Sequence, residues 1–148
     1  MLRIERATLK DLQAIVPLFD AYRVFYKQVS NPEIATSFLH ERLTQGDTVI
    51  FLAFHSQKPI GFTQLYTTFS SVSMQPYFIL NDLFVHPAYR NREIGKALLN
   101  KAKQHCIDSG YKGLALETAK DNPAQHLYEQ LDWERDEQYL HYFWKNSE

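Results

Sequence analysis

The sequence predicts a single domain of the mixed α/β class. Its predicted elements follow the order β-α-α-β-β-β-α-β-α-β, and its 148 residues are the usual size of one domain with a sizeable core. No repeat, low-complexity linker or domain boundary interrupts residues 1–148. Hydrophobic residues make up 45% of the chain and charged residues 22%, as in an ordinary soluble globular protein.

Composition also excludes several classes of protein. A net charge of -1 lacks the basic excess that a general nucleic-acid binder needs. No apolar run approaches the roughly 18 residues that a membrane span requires. Cys106 has no second cysteine to pair with, and the histidines show no metal-ligand spacing. We therefore expect a cytoplasmic protein that binds no metal, no nucleic acid and no membrane.

The first part of the chain is predicted to form a strand and two helices. Apolar and polar residues alternate over 2–6, as in a half-buried strand. Thr8 and Asp11 approximate a capping box and predict a helix that runs to about Lys27. Asn31-Pro32 supplies an N-cap and a first-turn proline, so a second helix begins there and ends near Gly46. On that helix we expect four side chains to face inward: Ile34, Phe38, Leu39 and Leu43.

The middle and end of the chain alternate between strands and helices. Residues 48–55 and 60–68 are predicted to form a hairpin, and the serine-rich residues 69–76 a loop. Tyr77–Val85 is apolar throughout, which predicts a central strand. The remaining predicted elements are a helix over 91–109, a strand over 113–118, a helix from Asn122 to about Leu131, and one or two strands over 134–145.

The turn between the fourth strand and the third helix contains a candidate site. Pro87 ends the strand because proline has no N–H for the ladder. Gly95 lies in the first turn of the helix, and three cations surround it: Arg90, Arg92 and Lys96. A helix N-terminus has free N–H groups and roughly half a positive charge, which suits a phosphate. An ordinary helix start with solvated cations explains the same pattern equally well.

Two separated segments resemble the GCN5-related N-acetyltransferase (GNAT) superfamily. The run VHPAYRNREIGKALL is similar to its acetyl-CoA signature, a strand followed by Arg/Gln-x-x-Gly-x-Gly/Ala at the head of a helix. Arg90, Glu93 and Gly95 occupy the matching positions, and Glu93 stands where the family has its first glycine. The run ALETAKDNPAQHLYEQLDW is similar to the last core strand and the following helix, with its tyrosine at Tyr128. The resemblance covers nearly the whole chain and looks closest to the small-amine and polyamine (diamine) branch.

The resemblance implies a fold and an acetyl-CoA site. The fold is a single GNAT-type domain with a twisted, mixed, mostly antiparallel sheet flanked by helices, in which the parallel strands four and five splay apart. The pantetheine arm would bond the backbone of Leu83, Phe84 and Val85. The pyrophosphate would lie on the loop residues Arg90, Asn91, Arg92, Glu93, Ile94, Gly95 and Lys96. Either Asp121 or Asn122, together with Tyr128, would also touch the cofactor.

Acetyl transfer to an amine needs a proton acceptor for the amine, and an acid helps the thiolate to leave. By resemblance Tyr128 is the acid, although an aromatic residue on an amphipathic helix fits its pattern too. Asp82 lies within an apolar strand, where burial raises a carboxyl pKa toward the range of a useful base. Glu117 is the other carboxylate candidate, and a water relay is the third option. Either carboxylate would equally serve to cap a loop or pair with an arginine.

The predicted activity is direct attack of a primary amine on acetyl-CoA, with a small amine or polyamine as the acceptor. Tyr22 and Tyr26 lie near the end of the first helix, where the resemblance implies the acceptor site, so they are expected to line the amine pocket, although a place in the core fits them equally well; Phe25 is expected in the core. A protein lysine or N-terminal amine is the alternative acceptor, and a CoA-binding regulator without turnover is the alternative function. The apolar YLHYFW terminus predicts a homodimer.

Overall fold

The computed structural model describes residues 1–147 and forms one five-stranded sheet with helices. The strands are β1 (Leu2–Arg6), β2 (Thr48–His55), β3 (Lys58–Ser70), β4 (Gln75–Val85) and β5 (Leu114–Ala115). The helices are α1 (Leu12–Phe25), α2 (Pro32–Gln45), α3 (Ile94–Ser109) and α4 (Ala124–Gln130), with 3-10 turns at Leu9–Asp11 and Pro87–Tyr89. Within residues 1–147 no helix has both the length and the apolar character of a membrane span.

The strands lie in sequence order, and only the last pair is parallel. Antiparallel ladders join β1 to β2, β2 to β3 and β3 to β4, while β5 runs parallel to β4 after the α3 crossover. The prediction of a mixed, mostly antiparallel sheet with a central fourth strand is confirmed.

Two layers of helices cover the sheet. On one face, α1 and α2 pack against Ile50, Leu52, Phe62 and Phe84 in a continuous apolar cluster. Since successive side chains of a strand point to opposite faces, Phe51 lies on the other face, where its ring is 5.4 Å from that of His105 on α3. The helices therefore bury both faces of the sheet, as the apolar run of Tyr77–Val85 predicts.

The chain divides into two compact units. The first, Met1–Glu117, holds the whole sheet and the helices α1 to α3, and the second begins at Thr118 and holds α4.

Several predicted boundaries are wrong. Residues 69–76 are not a loop, because the β3–β4 ladder continues to the pair Ser70–Gln75 and leaves only a tight turn. The fifth strand is two residues long, since only two of its residues pair with β4. Residues 134–145 form no strand, because β-propensity makes a strand only where a neighbour pairs with its backbone, and no ladder reaches this segment within residues 1–147.

The inward face of α2 also differs from the prediction. Ala35 and Leu39 are buried, whereas Ile34 is 62% exposed. Phe38 is partly exposed, although its ring stacks on that of Phe19 at 5.8 Å. Residues four apart share one face of a helix, so a small residue, Ala35, forms the contact with the core in place of its larger neighbour.

Candidate active site

The β4 strand carries a β-bulge at Asn81. Gln64 pairs with Asp82 and Leu65 pairs with Leu80, so Asn81 is an extra residue on the β4 side. Side chains satisfy the carbonyl groups of the bulge: the Tyr22 hydroxyl donates to Asn81 O at 3.1 Å, and Thr63 Oγ1 donates to Asp82 O at 2.8 Å. The bulge reverses the alternation of side chains, so Asp82 lies on the α1 face with Phe84.

The Asp82 carboxyl group is buried and hydrogen-bonded at both oxygens. The residue is 2% exposed. Asn81 Nδ2 donates to its Oδ1 at 2.7 Å, and Gln64 Nε2 donates to its Oδ2. Burial raises the pKa of Asp82, and the hydrogen bonds from Gln64, Asn81 and Tyr22 oppose that rise. A buried carboxyl group with a raised pKa in a helix-covered sheet is a candidate general base.

Two residues that the sequence did not single out complete this polar cluster. Thr48 on β2 donates from Oγ1 to Gln64 Oε1 at 2.7 Å, and Gln64 on β3 then donates to Asp82. Both Thr48 and Gln64 are buried. Gln64 could have been identified from the sequence, because an amide side chain in the middle of an apolar strand must find buried hydrogen-bond partners. The register that makes Asp82 its partner follows from the bulge.

An aromatic cluster lies beside this carboxyl group. The Tyr22 ring is 5.0 Å from Tyr26, 5.9 Å from Phe62 and 6.4 Å from Phe84. Tyr22 is half-buried and Tyr26 is exposed, so both stand where a solute can approach. Phe25 was expected in the core, but it is 55% exposed because it lies in the last turn of α1, beyond the residues that reach the sheet.

The loop before α3 has an unusual backbone conformation. Asn91 and Glu93 have φ values of 63° and 62°, in the left-handed region, and α3 continues from Ile94 in right-handed conformation. A left-handed residue followed by right-handed ones makes a concave set of N–H groups that suits an anion. Glu93 is the N-cap, yet its side chain makes no capping hydrogen bond. The first N–H groups of α3 are therefore left for a ligand or water.

The three cations of this loop do not share one role. Arg90 is turned toward the aromatic cluster: its Nε donates to Val85 O at 2.9 Å, and its guanidinium lies 5.5 Å from the Phe84 ring centroid. The Arg92 guanidinium lies 5.3 Å from the centroid of Tyr89. Lys96 is exposed on the first turn of α3. Arg92 and Lys96 are thus the two exposed cations that flank the start of α3 in the sequence.

The edge of β4 toward β5 is open along most of its length. The parallel ladder consists of Phe78 with Leu114 and Ile79 with Ala115, and in the described chain no strand pairs with that edge from Leu80 onward. Of the predicted pantetheine contacts, Phe84 has a buried side chain, while Leu83 and Val85 are half-buried. Backbone groups on an unpaired edge can bond an extended ligand in place of a strand.

The remaining predicted site residues lie at or beyond the end of the sheet unit. Glu117 is exposed and is the last residue of the first unit. In the second unit, Asn122 Oδ1 accepts from Ala124 N–H at 2.9 Å, while the N-cap position of α4 is Pro123, and Asp121 is exposed. The Tyr128 ring lies 5.8 Å from that of Trp133 within the same unit.

Comparison with known sequences identifies the family. The model of the acetyltransferase (GNAT) family matches residues 14–133. The uncharacterized N-acetyltransferase YhfO of Bacillus subtilis is 46% identical over 142 residues, which is 95% of each chain. A probable acetyltransferase of Haemophilus influenzae is 33% identical, over 86% of this chain and 97% of that protein. The chain belongs to the GNAT family and is an acetyltransferase.

Solved structures agree with this assignment. The crystal structure of a probable acetyltransferase has a TM-score of 0.92 at 36% identity and covers 99% of both chains. The aminoglycoside acetyltransferase meta-AAC0020, in complex with sisomicin, has a TM-score of 0.83 at 26% identity, with 99% and 97% covered. A predicted acetyltransferase of Clostridium acetobutylicum, solved with acetyl-CoA, shares the fold, with a TM-score of 0.78 at 13% identity and 97% and 96% covered.

Proposed function

We propose that the protein transfers an acetyl group from acetyl-CoA to the primary amine of a small molecule or polyamine by direct attack. The observation that carries this proposal is the Asp82 carboxyl group, which is buried at the β4 bulge and accepts hydrogen bonds from the side-chain amides of Asn81 and Gln64. The family supplies the acetyl transfer, and a buried carboxyl group beside an aromatic cluster supplies a proton acceptor for an amine.

The loop before α3 and the open edge of β4 fit acetyl-CoA. The left-handed residues Asn91 and Glu93 and the first N–H groups of α3 form a concave backbone for the pyrophosphate. Arg92 and Lys96 add positive charge there. The unpaired β4 edge, including Leu83, suits an extended pantetheine arm. When bound, acetyl-CoA supplies the activated acetyl group as a thioester.

The acceptor must lose a proton before or during its attack. An alkylamine has a pKa near ~10, so it is mostly charged at neutral pH. We propose that Asp82 takes this proton, because burial raises its pKa and brings it closer to that of the amine. Glu117 and a water relay are the competing proton acceptors. Tyr128 is proposed as the acid that protonates the leaving thiolate.

The aromatic cluster supports a small cationic acceptor. Tyr22 and Tyr26 lie 5.0 Å apart between centroids and present ring faces that attract a protonated amine. The solved aminoglycoside acetyltransferase at 26% identity, with its sisomicin ligand, acts on a class of molecule that carries several amines. These observations support a small amine or polyamine over a protein lysine or N-terminal amine.

The test is turnover on a panel of amines with acetyl-CoA. The panel contains diamines, polyamines, an aminoglycoside, a lysine peptide and a peptide with a free N-terminus, and release of the CoA thiol is measured. We expect the highest kcat/KM with a small diamine or polyamine. Turnover on the peptides alone would reassign the acceptor.

Binding of acetyl-CoA is measured in the same samples by thermal unfolding. A ligand at a hundredfold excess over its Kd stabilises the native state by roughly 2.7 kcal/mol. Stabilisation by acetyl-CoA without turnover on any amine would indicate a CoA-binding regulator. Light scattering on the same protein tests the expected homodimer.

A further inference from the structure

We propose that Thr48 and Gln64 are positioning residues that let Asp82 accept and release a proton in every catalytic cycle with its hydrogen bonds satisfied in both states. This inference rests on the role proposed above for Asp82. It concerns two residues on strands β2 and β3 that touch neither acetyl-CoA nor the amine in that proposal.

The three side chains form one line across three strands. Thr48 on β2, Gln64 on β3 and Asp82 on β4 are 6%, 0% and 2% exposed, so water does not compete for their hydrogen bonds. Thr48 Oγ1 donates to Gln64 Oε1 at 2.7 Å, and Gln64 Nε2 donates to Asp82 Oδ2. A buried line of this kind is stable only if every donor meets an acceptor.

The arrangement in the structure satisfies an ionised Asp82. A carboxylate only accepts hydrogen bonds, and both of its oxygens face amide N–H donors, from Gln64 and from Asn81. The Gln64 carbonyl oxygen is in turn satisfied by the hydroxyl proton of Thr48.

The same residues satisfy a protonated Asp82 after one rotation. In the step, the N–H bond of the amine breaks, its electron pair stays on nitrogen, and the proton forms an O–H bond at Asp82. With the proton on Oδ2, that O–H would face the N–H of Gln64, donor against donor. A half-turn of the Gln64 amide places its oxygen toward Asp82 and its NH₂ toward Thr48 Oγ1. The Thr48 hydroxyl then turns to Leu65 O, 3.4 Å away. The proton leaves to water, and the amide returns.

Thr48 is essential to this exchange because a hydroxyl both donates and accepts. A side chain that only donates or only accepts would satisfy one state of Gln64 and oppose the other. Gln64 itself has a donor and an acceptor on one planar group, so the half-turn exchanges them with little change in volume. The packing around the line therefore need not move during the cycle.

The other titratable groups around Asp82 cannot take over the hydrogen bonds that Thr48 and Gln64 provide. Tyr22 faces it from α1 and Tyr66 from β3, and Arg42 and Asp47 lie near Tyr66. Burial and the charge of Asp82 raise the pKa of Tyr66, so its phenol stays protonated at neutral pH. Arg42 forms ion pairs with Asp47 at 2.5 Å and with Glu41 at 3.0 Å, so its charge is already neutralised by other carboxylates.

The first test compares Thr48→Val with Thr48→Ser in steady-state kinetics on the best amine of the panel. Valine keeps the shape and removes the hydroxyl, so the Gln64 carbonyl is unsatisfied in the ionised state and the Gln64 NH₂ in the protonated state; because a buried unpaired N–H is the less tolerated of the two, the protonated state is disfavoured. We expect kcat to fall about tenfold with little change in either KM, and Thr48→Ser to restore it. Thr68→Val, on the same sheet, controls for removing a strand hydroxyl. Wild-type kcat in Thr48→Val overturns the inference.

The second test uses the pH profile of Gln64→Leu. Leucine removes the N–H donor that favours the ionised form of Asp82, so the pKa of Asp82 rises further. The acidic limb of kcat/KM should move to higher pH, whereas a merely structural role would lower the rate at every pH alike. An unmoved limb in a folded variant contradicts the proposal.

The third test needs neither turnover nor a variant. The wild-type protein is labelled with ¹³C and ¹⁵N, and the Asp82 carboxyl carbon and the Gln64 side-chain amide are followed by NMR across pH. We expect both signals to titrate at one midpoint. A Gln64 amide that does not respond while Asp82 titrates overturns the inference. A joint titration in a protein with no acetyltransferase turnover would instead refute only the proposed function.

Discussion

At the β4 bulge, Asp82 is buried and side-chain amides hold both of its oxygens, whereas in the loop before α3, Glu93 is exposed and caps nothing. The first region depends on a few side chains in exact register. The second depends on backbone conformation at Asn91 and Glu93. When a site depends on one side chain, replacing that side chain removes its chemical function. When a site depends on several backbone N–H groups, a side-chain substitution leaves most of those groups in place and only reduces the affinity. Mutations in the two regions should therefore differ in size and in the kinetic constant that they alter.

The largest expected effect is that of Asp82→Asn. The change keeps the shape and removes the proton acceptor, so kcat should fall by roughly a hundred- to ten-thousandfold, while the Kd for acetyl-CoA hardly changes. Steady-state kinetics and a CoA titration measure the two constants. Glu117→Gln is the matched variant of the competing carboxylate. If Glu117→Gln loses the rate and Asp82→Asn keeps it, the base is Glu117, and the β4 bulge is not the catalytic region.

Tyr128→Phe should have the next largest effect. It removes one hydroxyl and keeps the ring that packs 5.8 Å from Trp133, so the fold should hold. Because a thiolate is already a good leaving group, we expect a loss in kcat of about a hundredfold, the low end for acid–base groups. Full turnover at neutral pH would show that Tyr128 is a packing residue.

The loop variants should act on binding and by smaller factors. Gly95→Val adds a branched side chain in the first turn of α3 and should raise the Kd for acetyl-CoA about tenfold. Arg90→Ala should raise it only a few-fold, since Arg90 bonds Val85 O and stacks on aromatic rings. Glu93→Gly removes a negative charge and a strained φ of 62°, so it should lower the Kd a few-fold. Isothermal titration measures all three, and a weaker Glu93→Gly would contradict the proposed backbone site.

The smallest expected effect is on stability and depends on pH. Burial raises the pKa of Asp82 in the folded state, so the folded state binds this proton more tightly than the unfolded state does. The resulting stabilisation is present at acid pH and is lost as the pH rises through the folded-state pKa. Asp82→Asn should therefore be more stable than the wild type at neutral pH, by about 1 kcal/mol, the common size of a single stabilising substitution. Tm measured from acid to neutral pH should show the difference growing; a constant difference would contradict it.

Part of the candidate site could be predicted because it depends on local sequence. An apolar run bounded by Pro87 predicts β4, and Gly95 among cations predicts the head of α3; both lie where they were expected. Burial of Asp82 and its raised pKa also follow from its place in an apolar strand.

The rest depends on pairing between distant strands. The bulge at Asn81 is a property of the β3–β4 register, and without it neither the face on which Asp82 lies nor its contact with Gln64 can be deduced. The same dependence explains the wrong loop at 69–76, which a continuing ladder converts into strand. Residues 134–145 have strand-like composition, but composition provides no partner.

The bulge also determines how β4 tolerates changes of length. Asp82 and Phe84 lie on the face of the sheet that α1 and α2 cover, whereas Phe78 and Leu80 lie on the face that α3 covers. All four residues are separated by even numbers of positions, so plain alternation would have placed them on one face. Loss of the single codon for Asn81 would restore plain alternation and point every side chain on one half of the strand into the wrong layer. Inserting or deleting one residue there would turn the side chains of half of β4 to the opposite face of the sheet. We therefore expect functional variants of this protein to keep the length of β4 at this point.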